Sequence, residues 1–297
     1  MSITTLSLIL LMIVLFSWQS LFSRLQATAY PGNENDAPIV FSVFYGLIIT
    51  FITFISAGFI FEPSKATVLL GVLNALIVLG YNICLLGASD RGNYSITIIF
   101  MIFGGILIPL FISLFKGDTL NAVQWISILV MLLSFILMNL PQKGATKQKS
   151  KKGFLLLCVL LFLFNGFYGA IMAWQQEFTN QTEQNEMIIV TYFCLALFSF
   201  LFMLFKNRGQ LQSFKQTKKS VLFLIIASSV GTFAQKLMLY LVGPGGVQEG
   251  ILYTFDNGGA MILSIVYSFC IFKERLTKIQ IFSLLMALAA LIALSVA

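Results

Sequence analysis

Two ionisable side chains interrupt long apolar stretches in the last quarter of the sequence. Lys236 lies about nine residues before the middle of the turn Gly243-Pro244-Gly245-Gly246, and Asp256 lies about eleven residues after it. At about 1.5 Å of rise per helical residue, both residues lie roughly 13–17 Å from the turn, a depth at which they could pair across adjacent helices. An ionisable group this deep in an apolar medium usually faces a cavity or a partner. The two residues are therefore the first candidates for a substrate or proton site.

Each of the two segments has a polar or small face when positions are taken in steps of three and four. Gln235 and Asn257, the neighbours of the two charged residues, are assigned to the same candidate site. The alternative is a structural ion pair that fixes helix register. The first half of the chain has no charged counterpart, which favours substrate or proton handling. The steps from Lys236 reach Ser229, Thr232 and Tyr240, and those from Asp256 reach Glu249, Tyr253, Ala260 and Ser264.

Amide and aromatic side chains within other apolar stretches are weaker candidates. Intramembrane amides often serve only as hydrogen bonds between helices, so for each of them packing and cavity lining are both open. The candidates for substrate contact are Tyr81, Asn82, Asn165, Tyr168, Trp18 and Gln19.

Several kinds of chemistry have no residues to support them. The chain contains no histidine, and its four cysteines, all within apolar stretches, lack metal-ligand spacing. We therefore predict free thiols, no metal site, no cofactor and no enzymatic activity, and we assign no catalytic residue.

The candidate residues are positioned by a chain that is mostly apolar. Hydrophobic residues make up 59% of the 297, and charged residues only 10%, against roughly a quarter in soluble domains. A bilayer crossing needs about 20 mostly apolar residues. The sequence predicts an all-α integral membrane protein with ten transmembrane helices and no room for a nucleic-acid-binding domain. The expected spans are 3–22, 39–60, 66–88, 94–115, 120–140, 153–174, 187–205, 220–242, 249–272 and 277–296.

Basic residues are distributed unevenly between the two sides of such a protein. Of the 18 Lys and Arg residues, 15 fall in or beside the linkers after spans 1, 3, 5, 7 and 9, whereas Lys65 and Lys116 lie on the opposite side. Positive charge marks the cytoplasmic side. This distribution predicts that both termini face outward.

Two short polar hairpins indicate an internal duplication. Asp118 and Glu274, Leu120 and Leu276, and Gln124 and Gln280 are each 156 positions apart. We predict an N-terminal five-helix repeat (1–140), a basic linker (141–152) and a C-terminal five-helix repeat (153–297). Because each repeat has an odd number of spans, the second would be inverted relative to the first.

Smaller features of the repeats carry their own expectations. Asp118 and Glu274 are expected to cap the helices that follow them. The pairs Gly104-Gly105 and Gly258-Gly259 are expected to allow close helix packing or, alternatively, to form a flexible point or a cavity wall.

The hairpins also carry a family resemblance. An apolar helix, a Gly-Glu-Arg-Leu-Ser-like turn and a helix with Gln near its start resemble the drug/metabolite transporter superfamily, and most closely its EamA-like ten-span branch. KERLTKIQ at 273–280 is a good match and GDTLNAVQ at 117–124 a degenerate one. The resemblance implies a secondary transporter of small metabolites or drugs. It also implies cytoplasmic termini, in conflict with the charge distribution.

The favoured function is secondary active transport of a small polar metabolite, such as an amino acid, by alternating access with proton or exchange coupling. The expected partners are the substrate and the lipid bilayer, the location is the plasma membrane, and the chain is a monomer or homodimer. One alternative is an exporter of organic cations, although Lys236 beside Asp256 would repel such cargo. Another is a membrane protein that does not transport.

Overall fold

The computed structural model describes residues 2–33, 36–92, 94–139, 152–206, 214–270 and 277–296. Within these ranges the chain is helical and contains no strand. The linker 141–151 and the hairpin residues 271–276, with Glu274 and Leu276, lie outside the described residues. The ten helices are α1 (Ile3–Ala29), α2 (Ala37–Ser56), α3 (Lys65–Arg91), α4 (Tyr94–Phe115), α5 (Ala122–Met138), α6 (Phe154–Phe178), α7 (Gln184–Lys206), α8 (Lys218–Val242), α9 (Glu249–Cys270) and α10 (Lys278–Val296).

Eight of these helices are long and apolar enough to cross a membrane: α1, α2, α3, α4, α6, α7, α8 and α10. The remaining two are α5, an apolar helix of 17 residues, and α9, which carries Asp256 and Asn257 in its interior. The expectation of an all-helical multi-pass membrane protein is confirmed at this level. The largest boundary difference is in α1, which continues to Ala29. The ends of α2, at Ser56 rather than residue 60, and of α6, at Phe178 rather than residue 174, follow.

The helices that follow the two hairpins begin with the same capping arrangement. At α5, the Asn121 side chain accepts from the Gln124 backbone N–H, and the Gln124 side chain accepts from the Asn121 backbone N–H, both at 2.9 Å. At α10, Thr277 and Gln280 form the same reciprocal pair, at 3.3 and 2.9 Å. Such a capping box satisfies two backbone donors that the first helical turn leaves open.

The expectation that Asp118 caps α5 is wrong. Its carboxylate accepts a hydrogen bond from the Ser113 hydroxyl at the end of α4, while Asn121 is the N-cap of α5. Asn121 and Thr277 lie next to the helix start, where a side-chain oxygen can reach the N3 backbone N–H. Asp118 lies three residues too early to do so.

The chain forms two compact units. Unit 1 comprises residues 1–14, 84–170 and 247–297, and unit 2 comprises residues 15–83 and 171–246. The boundaries fall inside α1, α3 and α6, so each unit draws on both halves of the sequence. The division into sequence repeats at 141–152 stays a prediction.

Unit 2 is organised around α2, which packs against α7 and α8. At Gly46 a Cβ atom would lie 2.5 Å from the Tyr192 carbonyl oxygen, so glycine lets the α2 and α7 backbones approach closely. Lys206 at the end of α7 forms an ion pair of 2.6 Å with Asp36 at the start of α2. The two helices therefore run in opposite directions.

Unit 1 is built from two packed helix pairs, α4 with α9 and α5 with α10. Its core includes the fully buried Ile106, Met131 and Phe135. Gly258 lies against Met131 and Leu291, which confirms close packing as its role. An ion pair between Lys116, just after α4, and Glu249, the first residue of α9, shows that these helices are also antiparallel.

Candidate functional site

The site in unit 1 begins with a backbone contact between α4 and α6. A Cβ atom at Gly104 would lie 2.0 Å from the Phe162 carbonyl oxygen, and one at Gly166 would lie 2.6 Å from the Gly104 carbonyl oxygen. Only glycine fits at such distances, so this pair of glycines lets the two helices touch backbone to backbone. The contact places Asn165 directly beside α4.

Two asparagine side chains, one from α6 and one from α9, meet at Gly105. Asn165 Nδ2 donates to the Met101 carbonyl oxygen at 2.8 Å. Asn257 Nδ2 donates to the Tyr253 carbonyl oxygen at 2.9 Å and, more weakly, to that of Gly105 at 3.4 Å. A Cβ atom at Gly105 would lie 2.6 Å from Asn165 Nδ2 and 2.9 Å from Asn257 Oδ1. Gly105 therefore provides the space that both amides occupy.

Tyr253 is the buried aromatic residue of the site. Its side chain is 3% exposed, and its ring lies against Gly169 of α6, where a Cβ atom would be 2.4 Å from the ring carbon Cζ. Its hydroxyl has no hydrogen-bond partner among the described residues. Asp256 lies three positions further along the same face of α9, and Tyr168 is the chain neighbour of Gly169, against which the Tyr253 ring packs. The predicted aromatic and acidic candidates thus lie together.

Asp256 contributes the charge of the site. Its Oδ1 is buried and receives no hydrogen bond from the described part of the chain. Asp256 and Asn257 follow Tyr253 by three and four positions, so the three residues share one face of α9. A buried carboxylate oxygen without a donor is unusual and costly. The arrangement is suited to a ligand that supplies the missing donor.

Lys236 lies in unit 2, with its ammonium at a helix end. Its Nζ donates to the hydroxyl of Ser56 at 2.5 Å, and Ser56 is the last residue of α2. Long basic side chains extend in this way from an apolar stretch toward a polar boundary. The four-carbon stem carries the ammonium away from its own backbone to the end of α2, and the expected depth of Lys236 in a bilayer stays a prediction. Since Asp256 belongs to unit 1, their pairing stays a prediction.

The other predicted residues in unit 2 have separate surroundings. Gln235 is 4% exposed, and its Oε1 has no hydrogen-bond partner in the described ranges. Asn82 Nδ2 donates to the Ser42 hydroxyl at 2.9 Å, a link between α3 and α2. Tyr240 and Trp18 are largely exposed, while Tyr81 and Gln19 are half-buried. Five of the twelve predicted residues lie together in unit 1: Asn165, Tyr168, Tyr253, Asp256 and Asn257.

Unit 2 also contains a polar network that the sequence did not indicate. The carboxylate of Glu183, just before α7, accepts from the backbone N–H and the hydroxyl of Ser64, both at 2.9 Å. Gln175 Nε2 donates to the hydroxyls of Thr67 and Thr179 and to the Glu183 carbonyl oxygen. The network joins the start of α3 to the end of α6. The main sequence signal for this network is Ser64. It lies three residues before Thr67, a spacing typical of a helix N-cap.

The same contacts set the ionisation of Glu183, which lies in the loop between α6 and α7. Partial burial acts against the charged form, but hydrogen bonds from Thr67 and from the backbone and hydroxyl of Ser64 outweigh it. Together they lower the pKa of Glu183 below its usual value, because each of them stabilises the carboxylate. Glu183 is therefore a charged structural residue at neutral pH.

The fold is shared with a protein of known structure. A solved crystal structure superposes on this chain with a TM-score of 0.73 at 12% sequence identity, covering 100% of this chain and 98% of that chain. At this identity the similarity concerns the fold alone. No family model matches the sequence, and the search of curated proteins gave no match.

Proposed function

We propose that the chain is a secondary active transporter of a small polar metabolite, such as an amino acid or a related compound. One observation carries the proposal: Asp256 Oδ1 and the Tyr253 hydroxyl, on one face of α9, are both buried and have no hydrogen-bond partner among the described residues. Ionisable residues in such surroundings mark substrate and ion pathways in membrane proteins. The resemblance of the hairpins to drug/metabolite transporters agrees with this function.

The proposed architecture is ten transmembrane helices in two inverted five-helix repeats. Its support is that each of α2, α4 and α5 packs against the helix five places later, α7, α9 and α10. For α2 with α7 and for α4 with α9, the terminal ion pairs show opposite directions, which inversion requires. The capping boxes at Asn121 and Thr277, 156 positions apart, recur at equivalent places. Inverted repeats support alternating access by movement of one bundle against another.

The mechanism assigns a distinct role to each residue of the site. Asp256 takes up a proton or the substrate, and Tyr253 and Asn257 orient the bound group from the same face of α9. Asn165 and Tyr168 complete the site from α6. A ligand that binds differently in inward-open and outward-open states can bias the equilibrium between them. Exchange of substrate for a proton on Asp256 supplies that difference.

The proposed setting is the plasma membrane, with the protein acting as a monomer or homodimer. The distribution of basic residues supports termini that face outward, whereas the family resemblance implies cytoplasmic termini. A tag at the C-terminus that is reached by impermeant reagent only after lysis would overturn this orientation.

Transport by purified protein in proteoliposomes tests the function. We expect the wild type to catalyse counterflow of metabolites extracted from the host cells, measured by mass spectrometry. We expect at least a tenfold loss in Asp256→Asn, because the amide neither ionises nor releases a proton. Asp118→Asn is the matched control, since Asp118 lies in a hairpin of the same unit, and it should retain flux. Unchanged and still pH-dependent flux in Asp256→Asn would contradict the proposal.

A further inference from the structure

We propose that the part of the substrate recognised in unit 1 is a protonated amine, bound by Asp256 with the oxygen atoms of Tyr253, Asn257 and Asn165. This inference rests on the proposed function in taking that cluster as the substrate site, and it adds the chemical class of the bound group. It follows from which hydrogen-bonding groups of the site are already used and which are not.

Most amide N–H donors of the site are already used: both of Asn257 and one of the two of Asn165. Asn165 Nδ2 faces the Met101 carbonyl oxygen at 2.8 Å, and Asn257 Nδ2 faces the Tyr253 carbonyl oxygen at 2.9 Å. A carbonyl oxygen can only accept, so the nitrogen end of each amide must point toward it. Turning either side chain around would place two oxygens together and leave a backbone acceptor unsatisfied. The amides are therefore fixed in one orientation.

Fixed in this way, Asn257 offers a ligand its amide oxygen, and Asn165 offers its amide oxygen beside one remaining N–H. Asp256 adds a carboxylate whose Oδ1 receives no hydrogen bond from the described residues. The Tyr253 hydroxyl, which can both donate and accept, also has no partner there. An alkylammonium group has three N–H donors and no acceptor. It matches a set of oxygens that includes one negative charge.

Charge on the surrounding helices excludes the opposite class of ligand. The segments of α4, α6 and α9 contain no Lys or Arg, whereas Glu249 and Asp256 lie on α9. The neighbouring Lys116, just after α4, is paired with Glu249. A carboxylate or phosphate bound here would meet Asp256 with no cation on these helices to offset the repulsion, which is strong in an apolar environment. A neutral alcohol would leave the carboxylate charge uncompensated.

A matched set of small probes tests the inference on the full-length purified protein. Butylamine, butanol and butyrate have the same carbon chain and differ in the charge and donors of the head group. Ligand-observed NMR titrations should give binding of butylamine at least tenfold tighter than that of butyrate. Asp256→Asn should remove this preference, and Asp118→Asn should keep it. Tyr253→Phe, which removes only the unpartnered hydroxyl, should weaken butylamine binding severalfold while leaving the thermal unfolding temperature near that of the wild type.

Equal or tighter binding of butyrate, no binding of butylamine, or an amine preference that survives in Asp256→Asn would overturn the inference. Counterflow measured on the same samples separates it from the proposed function. Butylamine binding without any solute flux would support the amine site and contradict transport. Flux of an acidic metabolite without amine binding would support transport and contradict the amine site.

Discussion

Two carboxylates, Glu183 in unit 2 and Asp256 in unit 1, have opposite surroundings. Glu183 accepts hydrogen bonds from the backbone and the hydroxyl of Ser64 and from Thr67. Asp256 Oδ1 is buried and accepts none from the described residues. Both carboxylates lie near side-chain amides and hydroxyls, so residue types alone do not distinguish them.

The donors that reach the carboxylate make the difference: Ser64 and Thr67 supply them to Glu183, whereas the amides of unit 1 donate elsewhere. In unit 2, Gln175 donates to two threonine hydroxyls and to the Glu183 carbonyl oxygen, so the network closes on itself. In unit 1, Asn165 and Asn257 donate to helix backbone carbonyls and leave Asp256 without their N–H groups. A carboxylate with its own donors stabilises the fold, whereas one without them is available to a ligand.

The largest expected loss of stability comes from breaking the backbone contact between α4 and α6, which fixes the amides of unit 1. In Gly104→Ala, the new methyl group would lie 2.0 Å from the Phe162 carbonyl oxygen, and two helices would have to separate. We expect a loss of about 3 kcal/mol or more, at the upper end for overpacked sites. Fluorescence-detected size-exclusion chromatography should show little monodisperse protein.

The neighbouring substitution is the matched control. In Gly105→Ala the methyl group would meet the ends of two side chains, Asn165 Nδ2 at 2.6 Å and Asn257 Oδ1 at 2.9 Å. These side chains can shift, so the protein should remain folded but lose amine binding at least tenfold. A well-folded Gly104→Ala, or a Gly105→Ala that binds normally, would show that the contact does not set the amide geometry.

The sequence located the acid of the site but not its contacts. Asp256 stands out because a charged residue in an apolar helix is rare. Tyr253 follows from helical spacing, and Asn257 follows as the chain neighbour of Asp256. Asn165 and Tyr168 were individually ambiguous. Their meeting with α9 depends on Gly104 and Gly166, whose contact joins residues about 60 positions apart in sequence. The local sequence pattern carries no information on a contact between two glycines so far apart in the chain.

The prediction for Lys236 shows a second limit. Its backbone position was inferred from helical rise, but the ammonium lies several bond lengths away, on Ser56 at the end of α2. The hairpins show the reverse case. Gln124 and Gln280 were identified as equivalent from sequence, and the structure gives the reason, a capping box at each helix. Capping is local chemistry, yet Asp118 was predicted as the cap of α5, where Asn121 is the N-cap.

Neutralising the two carboxylates should shift stability in opposite directions. Glu183→Gln weakens charge-assisted hydrogen bonds at a partly exposed site, so we expect a loss of about 1 kcal/mol after solvent screening. This corresponds to an unfolding temperature about 2–4 °C lower. Asp256→Asn replaces a carboxyl group whose buried Oδ1 receives no hydrogen bond from the described residues, and its unfolding temperature should rise.

Thermal melts of both variants in the same detergent measure this contrast. A lower unfolding temperature for Asp256→Asn would show that its carboxylate, like that of Glu183, stabilises the fold. A rise in stability together with the loss of amine binding would agree with a site whose geometry is kept for function at the expense of stability.

The smallest effect concerns the pH dependence of that stability. Hydrogen bonds hold the pKa of Glu183 below its value in the unfolded chain, which is about 4.3. A carboxylate with a lowered folded-state pKa stabilises the protein above the unfolded pKa, and this contribution is lost as the pH falls through the folded-state pKa. The difference in unfolding temperature between wild type and Glu183→Gln should therefore be full at pH 7 and pH 5.5 and should shrink below about pH 4.

Glu186→Gln, in the first turn of α7, is the matched control. If the difference in unfolding temperature has already vanished at pH 6, Ser64 and Thr67 do not hold Glu183 ionised. Glu183 and Asp256 would then differ only in where they lie in the fold.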